Sequence, residues 1–517
     1  MKSLKLIFVL SSLIAGIAGI SFALEIGNMI TPDELQKLKS IGTIRAMARI
    51  DMAGLTGHSE FIYAAPGMMH TEIDLGILKM TQGFDGETAW IRDQNGQYME
   101  LTGGDRKNII SGVYMTGMCY FLDNCLSGQV QYAGDTTMEE ISYHVFSAVP
   151  DFGDSLWLYF NTASRRLEIV EERLDEISIM NYLSDFRMID GMEIPFVSKS
   201  KSSVPQLNMT AVTDTIEFNV PVDFSLFEMI PEGADNFVFP VDRDSVVVPF
   251  VYHNGHIFLK ASINGLPPEF FILDSGAGTN VVDREYAEKI GLKPEGDLPA
   301  KGIAGYGSAS LTRIDSLAVG GVMIYDEVVG VIDFSAMALD APGEIGGVLG
   351  HDLLSRFPIK INYADSVMVL YNPETFVPPD SSLGIDFEYI MKIPLVNARY
   401  GDVDGKFLID LGNPFSLILH HSFVEDNDLA KTFTNIDTMQ GNLGGVGGLS
   451  DVYAATGDDF QIGAVRISKP PLLIAQSETG VIGSLRVNGN MGNLLLQEFE
   501  LLLDYKGKKI YIMALNK

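Results

Sequence analysis

One pattern occurs twice in this chain, and this repetition limits the fold more than any other feature does. In each copy, apolar residues lead into an aspartate, and a glycine follows shortly after it, in residues 270–276 and again in residues 407–412. Apolar runs of this length are typical of a buried strand. The recurrence of strand, aspartate and glycine predicts an internal duplication of a domain-sized unit.

A second pair of segments supports the duplication. Downstream of each aspartate the chain has an apolar stretch built around a glycine. A phenylalanine and a tyrosine follow that glycine at identical spacings in both copies: Gly350, Phe357 and Tyr363 in the first copy, and Gly492, Phe499 and Tyr505 in the second. We therefore expect two lobes with the same β-rich architecture.

The two aspartates suggest a chemistry. A carboxylate at the end of a buried strand is costly unless hydrogen bonds or a shared proton offset its charge. Gly276 lets the backbone turn tightly, so that amide groups can approach the side chain of Asp274. Two carboxylates that lie close together cannot both ionise easily, and they share a proton. The ionised member can then take a proton from water, while the protonated member polarises a carbonyl group.

The strand followed by Asp-Ser-Gly resembles the active-site loop of aspartic peptidases, and most of all their retropepsin-like branch. The resemblance implies hydrolysis of peptide bonds by water, with no metal ion and no organic cofactor. It implies a catalytic pair, Asp274 and Asp410. We assign neither as the acid or the base, because such a pair titrates as a unit. The resemblance implies supporting roles for the neighbouring loop residues: Ser275, Gly276, Gly412 and Asn413.

The same family covers its cleft with a mobile hairpin, the flap. Two glycine-rich stretches are flap candidates here: residues 302–307, with Gly305 at the centre and Tyr306 beside it, and residues 441–448, which include Gly445. Glycines would give the hairpin flexibility, and Tyr306 would contact a substrate. An ordinary glycine-rich turn is the other interpretation. A phosphate-binding loop is not favoured, because G-x-x-x-x-G-K-[ST] is missing from these stretches.

The second copy departs from the family pattern. The family has threonine or serine after the aspartate, and these hydroxyls interlock across the lobes; Ser275 has a hydroxyl, whereas Leu411 has none. Asn413 and Asn490 also replace the usual residue types. Two outcomes stay open. Asp410 serves with a replacement hydrogen bond from Asn413, or lobe two is a degenerate copy whose activity is weak, absent or dependent on a lobe from another chain.

Other catalytic patterns are missing from the sequence, which has neither His-Glu-x-x-His nor Gly-x-Ser-x-Gly. His420 and His421 are adjacent, so they do not share one face of a helix or strand as metal ligands do. We interpret them as surface or turn residues. For His351 we favour a structural role, because Asn493 takes its place in the second copy.

The region before the repeats has the alternating apolar and polar texture of antiparallel strands. Its Asp190-Gly191 turn, the residues 194–196 that follow it, and the closing residues 218–221 are similar to the lipoprotein-carrier and sensor half-barrels of bacterial envelopes. The resemblance implies a twisted antiparallel sheet. In that family the concave face holds acyl chains, so an acyl chain or a lipoprotein is one implied partner. A plain hydrophobic core is the other interpretation.

Two local signals lie in this region. Thr31 followed by Pro32 predicts the cap of a short helix over residues 30–38. Asn95-Gly96 predicts a two-residue hairpin turn, in which both central residues need positive φ.

The first 23 residues resemble a secretory signal peptide. Lys2 and Lys5 precede a largely apolar run over residues 6–23, and Ser21 to Ala23 fit a cleavage site. An uncleaved anchor is the alternative. We therefore expect an exported protein, periplasmic or extracellular. In such a compartment Cys119 and Cys125, the only cysteines, are expected to form a small-loop disulfide rather than two free thiols. Two cysteines alone are too few ligands for a metal site.

Composition excludes several classes of partner. The net charge of −31 argues against nucleic acid and against an anionic membrane surface. The apolar fraction of 46% excludes a mostly disordered chain. No stretch after the first 23 residues reaches the roughly 20 apolar residues of a membrane span. The expected partner is a peptide or protein substrate.

The sequence thus predicts a mainly β protein, in which an N-terminal antiparallel half-barrel precedes a duplicated, bilobal aspartic-peptidase fold. The predicted function is that of an aspartic-type endopeptidase that activates water with a carboxylate pair. A non-catalytic envelope protein that binds peptide, lipid or lipoprotein is the alternative. Pairing of lobe one with lobe one of another copy is disfavoured by the duplication. The predicted boundaries are a signal peptide at 1–23, a half-barrel at 24–231, a linker at 232–244, lobe one at 245–373, an inter-lobe linker at 374–384 and lobe two at 385–517.

Overall fold

The computed structural model describes residues 24–174, 177–230, 236–303, 305–337 and 339–514. Its strands form two separate sheet systems, one from the N-terminal region and one from the two repeats. The predicted mainly β fold, a half-barrel followed by a bilobal unit, is confirmed. The predicted signal peptide at 1–23 lies outside the described residues.

The N-terminal region forms a sheet of 13 antiparallel strands in the order β6-β5-β4-β3-β2-β1-β13-β12-β11-β10-β9-β8-β7. Neighbours in the sheet are mostly neighbours in sequence, and β1 joins the two halves by pairing with both β2 and β13. The strands are β1 Thr43–Met52, β2 Leu55–Ala64, β3 Met68–Leu75, β4 Leu78–Phe84, β5 Ala89–Arg92, β6 Tyr98–Leu101, β7 Gly128–Met138, β8 Ile141–Pro150, β9 Leu156–Asn161, β10 Leu167–Leu174, β11 Ile177–Ile189, β12 Met192–Ser202 and β13 Met209–Phe218.

Two helices accompany this sheet. Helix α1, Pro32–Lys39, begins as predicted after Thr31, whose side chain and Glu34 form a capping box. Helix α2, Gly103–Thr116, packs against the sheet and buries Ile109, Ile110 and Val113. A disulfide joins Cys119 and Cys125 just after α2, with the two Cα atoms 5.3 Å apart.

The hairpin predicted at Asn95-Gly96 is present, but its turn differs from the prediction. Strand β5 ends at Arg92 and β6 begins at Tyr98, so residues 93–97 form a longer loop. Within it, Gly96 has a positive φ of 75°, whereas Asn95 does not. Asp93 accounts for the difference, because its Oδ1 accepts hydrogen bonds from the amides of Asn95 and Gln97 and holds the wider loop.

The second sheet system contains the repeats. Lobe one contributes β14 Phe237–Val238, β15 Ser245–His253, β16 His256–Ile263, β17 Glu269–Leu273, β18 Val281–Asp283, β19 Glu295–Lys301, β20 Tyr306–Val319, β21 Val322–Ile332, β22 Ile345–Leu349, β23 Ile359–Asn362 and β24 Val367–Tyr371, with helices α3 Arg284–Lys289 and α4 His351–Leu354.

Lobe two repeats much of this plan. It contributes β25 Ile385–Ile390, β26 Ile393–Tyr400, β27 Val403–Ile409, β28 Leu417–Leu419, β29 Thr434–Gly445, β30 Gly448–Thr456, β31 Phe460–Ile462, β32 Val465–Ile467, β33 Pro471–Ala475, β34 Gly489–Met491, β35 Phe499–Asp504 and β36 Lys509–Ala514, with helices α5 His421–Asp426 and α6 Asn493–Leu496.

The pairing pattern shows the duplication directly. Strand β17 runs parallel to β22, and its counterpart β27 runs parallel to β34. Beside them, β18 and β28 pair antiparallel with β22 and β34. A shared sheet joins the lobes in the order β15-β24-β23-β35-β36-β25, with β23 and β35 meeting at its centre. Apolar side chains of both lobes form one continuous core around it.

The segment predicted as a linker at 232–244 is partly structured. Strand β14 pairs with β21 of lobe one. Phe237 and Phe239 pack on Phe357, with ring centroids 4.9 and 6.1 Å away. Burial of these aromatic rings is the physical reason that lobe one extends further toward the N-terminus than its predicted start at 245.

Candidate active site

The two predicted catalytic aspartates occupy equivalent places at the ends of twin strands. Asp274 follows β17, and its amide donates to the carbonyl of Leu349 on β22 at 2.9 Å. Asp410 follows β27, and its amide donates to the carbonyl of Met491 on β34 at 3.0 Å. The parallel neighbour strand therefore fixes the backbone of each aspartate.

The structure brings the two carboxylates together across the lobes. A Cβ atom placed on Gly276 would lie 2.5 Å from Asp410 Oδ1 and 3.0 Å from Asp274 Oδ1. A Cβ atom placed on Gly412 would collide with the Asp274 carboxylate. Each glycine thus lets its loop pass close to the aspartate of the other lobe, which a side chain at either position would prevent.

Hydrogen bonds and burial set the charge of the pair. The Gly276 amide donates to Asp274 at 2.7 Å. Asp410 receives more donors, because the amides of Gly412 and Asn413 both reach its Oδ1 at 3.1 Å. Burial, and next the charge of Asp410, raise the pKa of Asp274 to about 8. Burial also raises the pKa of Asp410, and its hydrogen bonds oppose that rise.

Ser275 provides one half of the hydroxyl interlock that the family resemblance implied. Its Oγ donates to the carbonyl of Ile409 at 2.7 Å and accepts from the amide of Leu411 at 3.0 Å. One hydroxyl from lobe one therefore ties down both sides of the Asp410 loop. Leu411 is fully buried and, having no hydroxyl, makes no matching bond to the Asp274 loop.

The replacement hydrogen bond expected from Asn413 comes from its backbone and not from its side chain. The Asn413 side-chain oxygen accepts from the amide of Phe415 at 2.9 Å. The side chain that reaches Asp410 belongs to Asn490, whose Nδ2 donates to Asp410 Oδ2 at 2.9 Å. Asn490 occupies the place of Val348 on β22, which is apolar.

His420 lies directly behind Asn490, contrary to its interpretation as a surface or turn residue. The imidazole is fully buried. Its Nε2 lies 2.8 Å from Asn490 Oδ1, and its Nδ1 lies 2.9 Å from the carbonyl of Val487. His420 was missed because the adjacent His421 suggested exposure, whereas the apolar strand β28 just before it was the available signal for burial.

His351 and Asn493 hold equivalent structural positions, in keeping with the role favoured for His351. Asn493 Nδ2 donates to the carbonyl of Gly255 at 2.8 Å, in the β15–β16 turn of lobe one. His351 Nδ1 donates across the lobes in the opposite direction, at 2.8 Å from the carbonyl of Lys392 in the β25–β26 turn. Burial lowers the pKa of His351 to about 4, so the ring is neutral at pH 7.

Both flap candidates are hairpins, and their tips meet. Strands β19 and β20 flank the first glycine-rich stretch, and Tyr306 is the first residue of β20, opposite Lys301. Strands β29 and β30 flank the second, and Gly445 pairs with Gly448. A Cβ atom on Gly447 would lie 2.6 Å from the Gly305 carbonyl. The Val481 amide also donates to the Gly302 carbonyl at 2.9 Å, so lobe two holds the first flap at its tip.

The half-barrel contacts the peptidase-like unit beside the Asp274 loop. Asn95, at the β5–β6 turn, donates to the carbonyl of Val328 at 3.0 Å and accepts from the amide of Val328 at 2.8 Å. Its Nδ2 also lies 3.4 Å from Asp352 Oδ1, while Asp352 Oδ2 accepts from Thr279 and from the amide of Asn280. The hairpin tip therefore supports the chain that follows the Asp274 loop.

Charged side chains reinforce this junction. Lys392 of lobe two pairs with Asp93 of the half-barrel at 2.5 Å. Within lobe one, Arg356 pairs with Glu327 at 2.9 Å, and both side chains are almost completely buried. Burial raises the pKa of Glu327 to about 7 although Arg356 opposes the rise. A buried pair of this kind is costly to break.

Two cavities among the described residues lie away from the dyad. A groove of about 1010 Å³ separates the start of α2 from lobe two, and charged side chains line it: Lys107, Glu388, Arg399, Asp404, Lys406 and Arg486. In the described ranges, no three His, Cys, Asp or Glu side chains are grouped to hold a metal ion. No helix in the part of the chain that the structure describes combines the length and hydrophobicity needed to cross a bilayer.

Residues 259–353 match a family model described as aspartyl protease. The matched segment lies in lobe one and contains Asp274, so the resemblance suggested by the Asp-Ser-Gly loop is confirmed for that lobe. No curated protein has significant sequence similarity to this chain.

Three solved structures illustrate what the two parts are similar to. An aspartic proteinase from Irpex lacteus is 10% identical, with 53% of this chain and 98% of that chain covered and a TM-score of 0.36. A putative outer membrane lipoprotein-sorting protein domain from Vibrio parahaemolyticus is 8% identical, with 39% and 95% covered and a TM-score of 0.29. A DUF1329 family protein from Desulfovibrio piger ATCC 29098 is 10% identical, with 39% and 95% covered and a TM-score of 0.28.

Proposed function

We propose that this chain is an exported aspartic-type endopeptidase in which Asp274 and Asp410 act as one catalytic pair. The observation that carries the proposal is the meeting of the two carboxylates, each at the end of a twin strand. Room for this approach comes from the glycines of both loops, Gly276 and Gly412. A pair of carboxylates sharing a proton is what hydrolysis by an activated water needs.

The hydrogen bonds favour a division of roles within the pair. Asp410 accepts from two amides and from Asn490, so negative charge is better supported on Asp410, and the shared proton is better placed on Asp274. Asp410 takes a proton from water as the water oxygen attacks the amide carbon, and Asp274 gives its proton to the carbonyl oxygen. The attack gives a tetrahedral intermediate with two hydroxyl groups. When this intermediate collapses, Asp410 gives its proton to the leaving nitrogen as the C–N bond breaks, and one of the hydroxyl groups reprotonates Asp274.

The test is cleavage of a mixed peptide library across pH by the mature chain and by Asp274→Asn and Asp410→Asn. Both variants are expected to lose at least about a hundredfold in kcat, since each removes one half of the acid–base pair. Glu425→Gln, which neutralises an exposed carboxylate on α5, is the matched control and should cut normally. Loss in Asp274→Asn alone would indicate pairing with another chain, and normal cutting by both variants would overturn the proposal.

One observation favours a second candidate function. Leu411 leaves the hydroxyl interlock half formed, and an imperfectly fixed dyad loses rate steeply. The candidate is an envelope protein that holds a peptide in the cleft without cutting it. A parent chain that cuts no library member at any pH, yet binds peptides in a manner that Asp274→Asn changes, would establish this function instead.

For the half-barrel we propose a structural role, with acyl-chain binding as the alternative from the resemblance. Side chains of α2 and the turn after it pack among the sheet residues. The cavity beside Tyr63 and Cys125 measures about 20 Å³, which suits about one water molecule. An acyl chain would therefore have to displace α2. Binding of a fluorescent fatty acid to the full chain would overturn the structural role.

A further inference from the structure

Three side chains in lobe two form a line that begins at the dyad. Asn490 joins Asp410 Oδ2 on one side, at 2.9 Å, to His420 Nε2 on the other, at 2.8 Å. The line ends where His420 Nδ1 meets the carbonyl of Val487 at 2.9 Å. All three side chains are nine-tenths or more buried, so ordinary solvent does not satisfy any unmatched end.

The protons on this line are constrained at its far end. The Val487 carbonyl only accepts, so His420 Nδ1 must carry a proton. When Asn490 donates its Nδ2 to Asp410, its Oδ1 faces His420 Nε2 and also only accepts. That contact is a hydrogen bond only when Nε2 carries a proton too, which makes the ring an imidazolium beside an ionised Asp410.

One other arrangement satisfies every group. Rotating the Asn490 amide exchanges its oxygen and nitrogen at the same positions. The nitrogen then donates to a neutral His420, and the oxygen accepts from a protonated Asp410. Both arrangements hold the same number of protons. They differ in whether one proton sits on Asp410 Oδ2 or on His420 Nε2, and in the direction of the two hydrogen bonds that Asn490 makes.

We propose that His420 is a positioning residue that, through Asn490, holds in acid the proton that would otherwise neutralise Asp410. The inference rests on the proposed function, because it concerns the ionised carboxylate that activates water. Its consequence is that the dyad keeps one negative charge at a lower pH than a dyad without this support.

Charged and titratable groups on neighbouring elements act on both ends of this line. Burial lowers the pKa of His420 to about 4, although the hydrogen bonds to Asn490 and to the Val487 carbonyl oppose that fall, so the ring takes up its second proton in the acid range. Lys301, in the first flap strand, also disfavours a charge on His420. On the other side of the line, Asp274 faces Asp410, and Tyr505 lies within the electrostatic reach of both carboxylates.

Lobe one lacks this line and provides an internal comparison. Val348 stands at the place of Asn490 and offers Asp274 no side-chain donor. The asymmetry therefore distinguishes the two carboxylates and assigns the supported negative charge to Asp410.

The kinetic test compares pH profiles of kcat/KM for the parent, Asn490→Val and His420→Gln. Gln at 420 can still donate an amide proton to Asn490 Oδ1, but it cannot accept a proton at working pH. We expect the acid limb to move upward by about one pH unit in both variants, a tenfold change in proton affinity, and kcat/KM of His420→Gln near neutral pH to change less than about threefold. His421→Gln, on the neighbouring histidine, is the control and should match the parent. A His420→Gln profile that superimposes on the parent would overturn the proposal.

A second measurement needs no catalysis. Imidazole ¹⁵N correlation spectra of the full chain report which nitrogen carries a proton, and the signal missing from His420→Gln identifies His420. We expect Nδ1 to stay protonated throughout and Nε2 to gain a proton in the acid range in the parent but not in Asn490→Val. An Nε2 that stays unprotonated down to acid unfolding would overturn the proposal. A chain that cuts nothing but shows this titration would reject the proposed function alone.

Discussion

At the scale of single residues, Asp274 shows how the site trades stability for chemistry. Its carboxyl lies between two lobes, next to a second carboxylate, and has the backbone amides of Gly276 and Gly412 but no side-chain amide like Asn490 as a donor. An ionised group in such a place destabilises the fold, because burial and the like charge both oppose ionisation. In the proposed mechanism, the same environment keeps a proton available for a carbonyl oxygen at neutral pH.

The first prediction concerns the pH dependence of stability. The pKa of Asp274 rises on folding from 3.8 to about 8, so its protonated form stabilises the fold fully below pH 3.8. That contribution is lost as pH rises through about 8. Asp274→Asn, which never ionises, should therefore raise the free energy of unfolding on the order of 2–4 kcal/mol at pH 7, at about 1.4 kcal/mol for each pKa unit.

Urea unfolding at pH 4 and at pH 7 measures this effect. The gain over the parent should fall below about 1 kcal/mol at pH 4, where Asp274 is protonated in the folded state and about two-fifths protonated in the unfolded state. Glu425→Gln controls for the change in net charge. A gain of equal size at both pH values would contradict the assignment.

From the sequence alone, single residues could be named only where they belong to a contiguous motif. Asp274 and Ser275 were found because strand, carboxylate and hydroxyl are contiguous, and the structure places both at the lobe interface. Asn490 was noticed only as a departure, since its donation to Asp410 depends on two strands that are distant in sequence. His420 was misinterpreted because adjacency to His421 carried no information about which side chain turns inward.

At the scale of elements, the two flap candidates contact each other and lobe two at their tips, rather than standing as two free loops. Ile303 of the first flap packs into an apolar cluster of lobe two that includes Ile418, Leu443 and Ile482. This contact and the bond from the Val481 amide to Gly302 hold the tip in place. If these hairpins act as the flap of the proposed endopeptidase, a substrate would reach the dyad only when these contacts open.

The second prediction tests this closure. Ile303→Ala removes part of the apolar contact and should make opening easier by about 1–2 kcal/mol. The Val481 amide should then exchange with solvent about tenfold faster, because its acceptor is the Gly302 carbonyl. Hydrogen exchange of peptides covering 295–310 and 478–484 measures the change. Leu449→Ala, which truncates an exposed side chain on the second flap, should leave exchange unchanged. Equal effects from both variants would contradict the role of Ile303 in holding the flap tip.

Elements were predicted best where a local signal marked their ends. Thr31 with Glu34 marked the start of α1, and Asp190-Gly191 marked the β11–β12 turn, where both residues have positive φ. Helix α2 was not predicted, because it begins with two glycines and contains Gly112, all poor helix formers. Packing of Ile109, Ile110 and Val113 on the sheet stabilises it instead, and that tertiary contact is invisible in the local sequence.

At the scale of the whole molecule, the β5–β6 turn of the half-barrel forms a junction with both lobes. The side chain of Asn95 donates to the carbonyl and accepts from the amide of Val328, and Lys392 of lobe two forms an ion pair with Asp93. Neither contact followed from the sequence, because the partners are more than 200 positions apart. The duplicated core, in contrast, was predicted because its two copies repeat the same spacing.

The third prediction concerns this junction. Asn95→Ala leaves the buried amide and carbonyl of Val328 without their partner, which should cost about 2–3 kcal/mol. Calorimetry of the full chain should show a lower melting temperature and a separate transition for the half-barrel, where the parent melts in one. Asn124→Ala, at an exposed position in the half-barrel, is the control. Unchanged melting of Asn95→Ala would show that the junction contributes little.

The contact between the half-barrel and the first flap has a practical consequence. The Asp297 amide of β19 donates to the Ala53 carbonyl in the β1–β2 turn at 2.7 Å, and Leu298 packs beside Leu55 and Leu75. The N-terminal region thus packs against strand β19 of the first flap. Fusing the two lobes to a different N-terminal domain would remove these contacts. A loss of activity in such a chimera would therefore report on the altered first flap and not on the dyad.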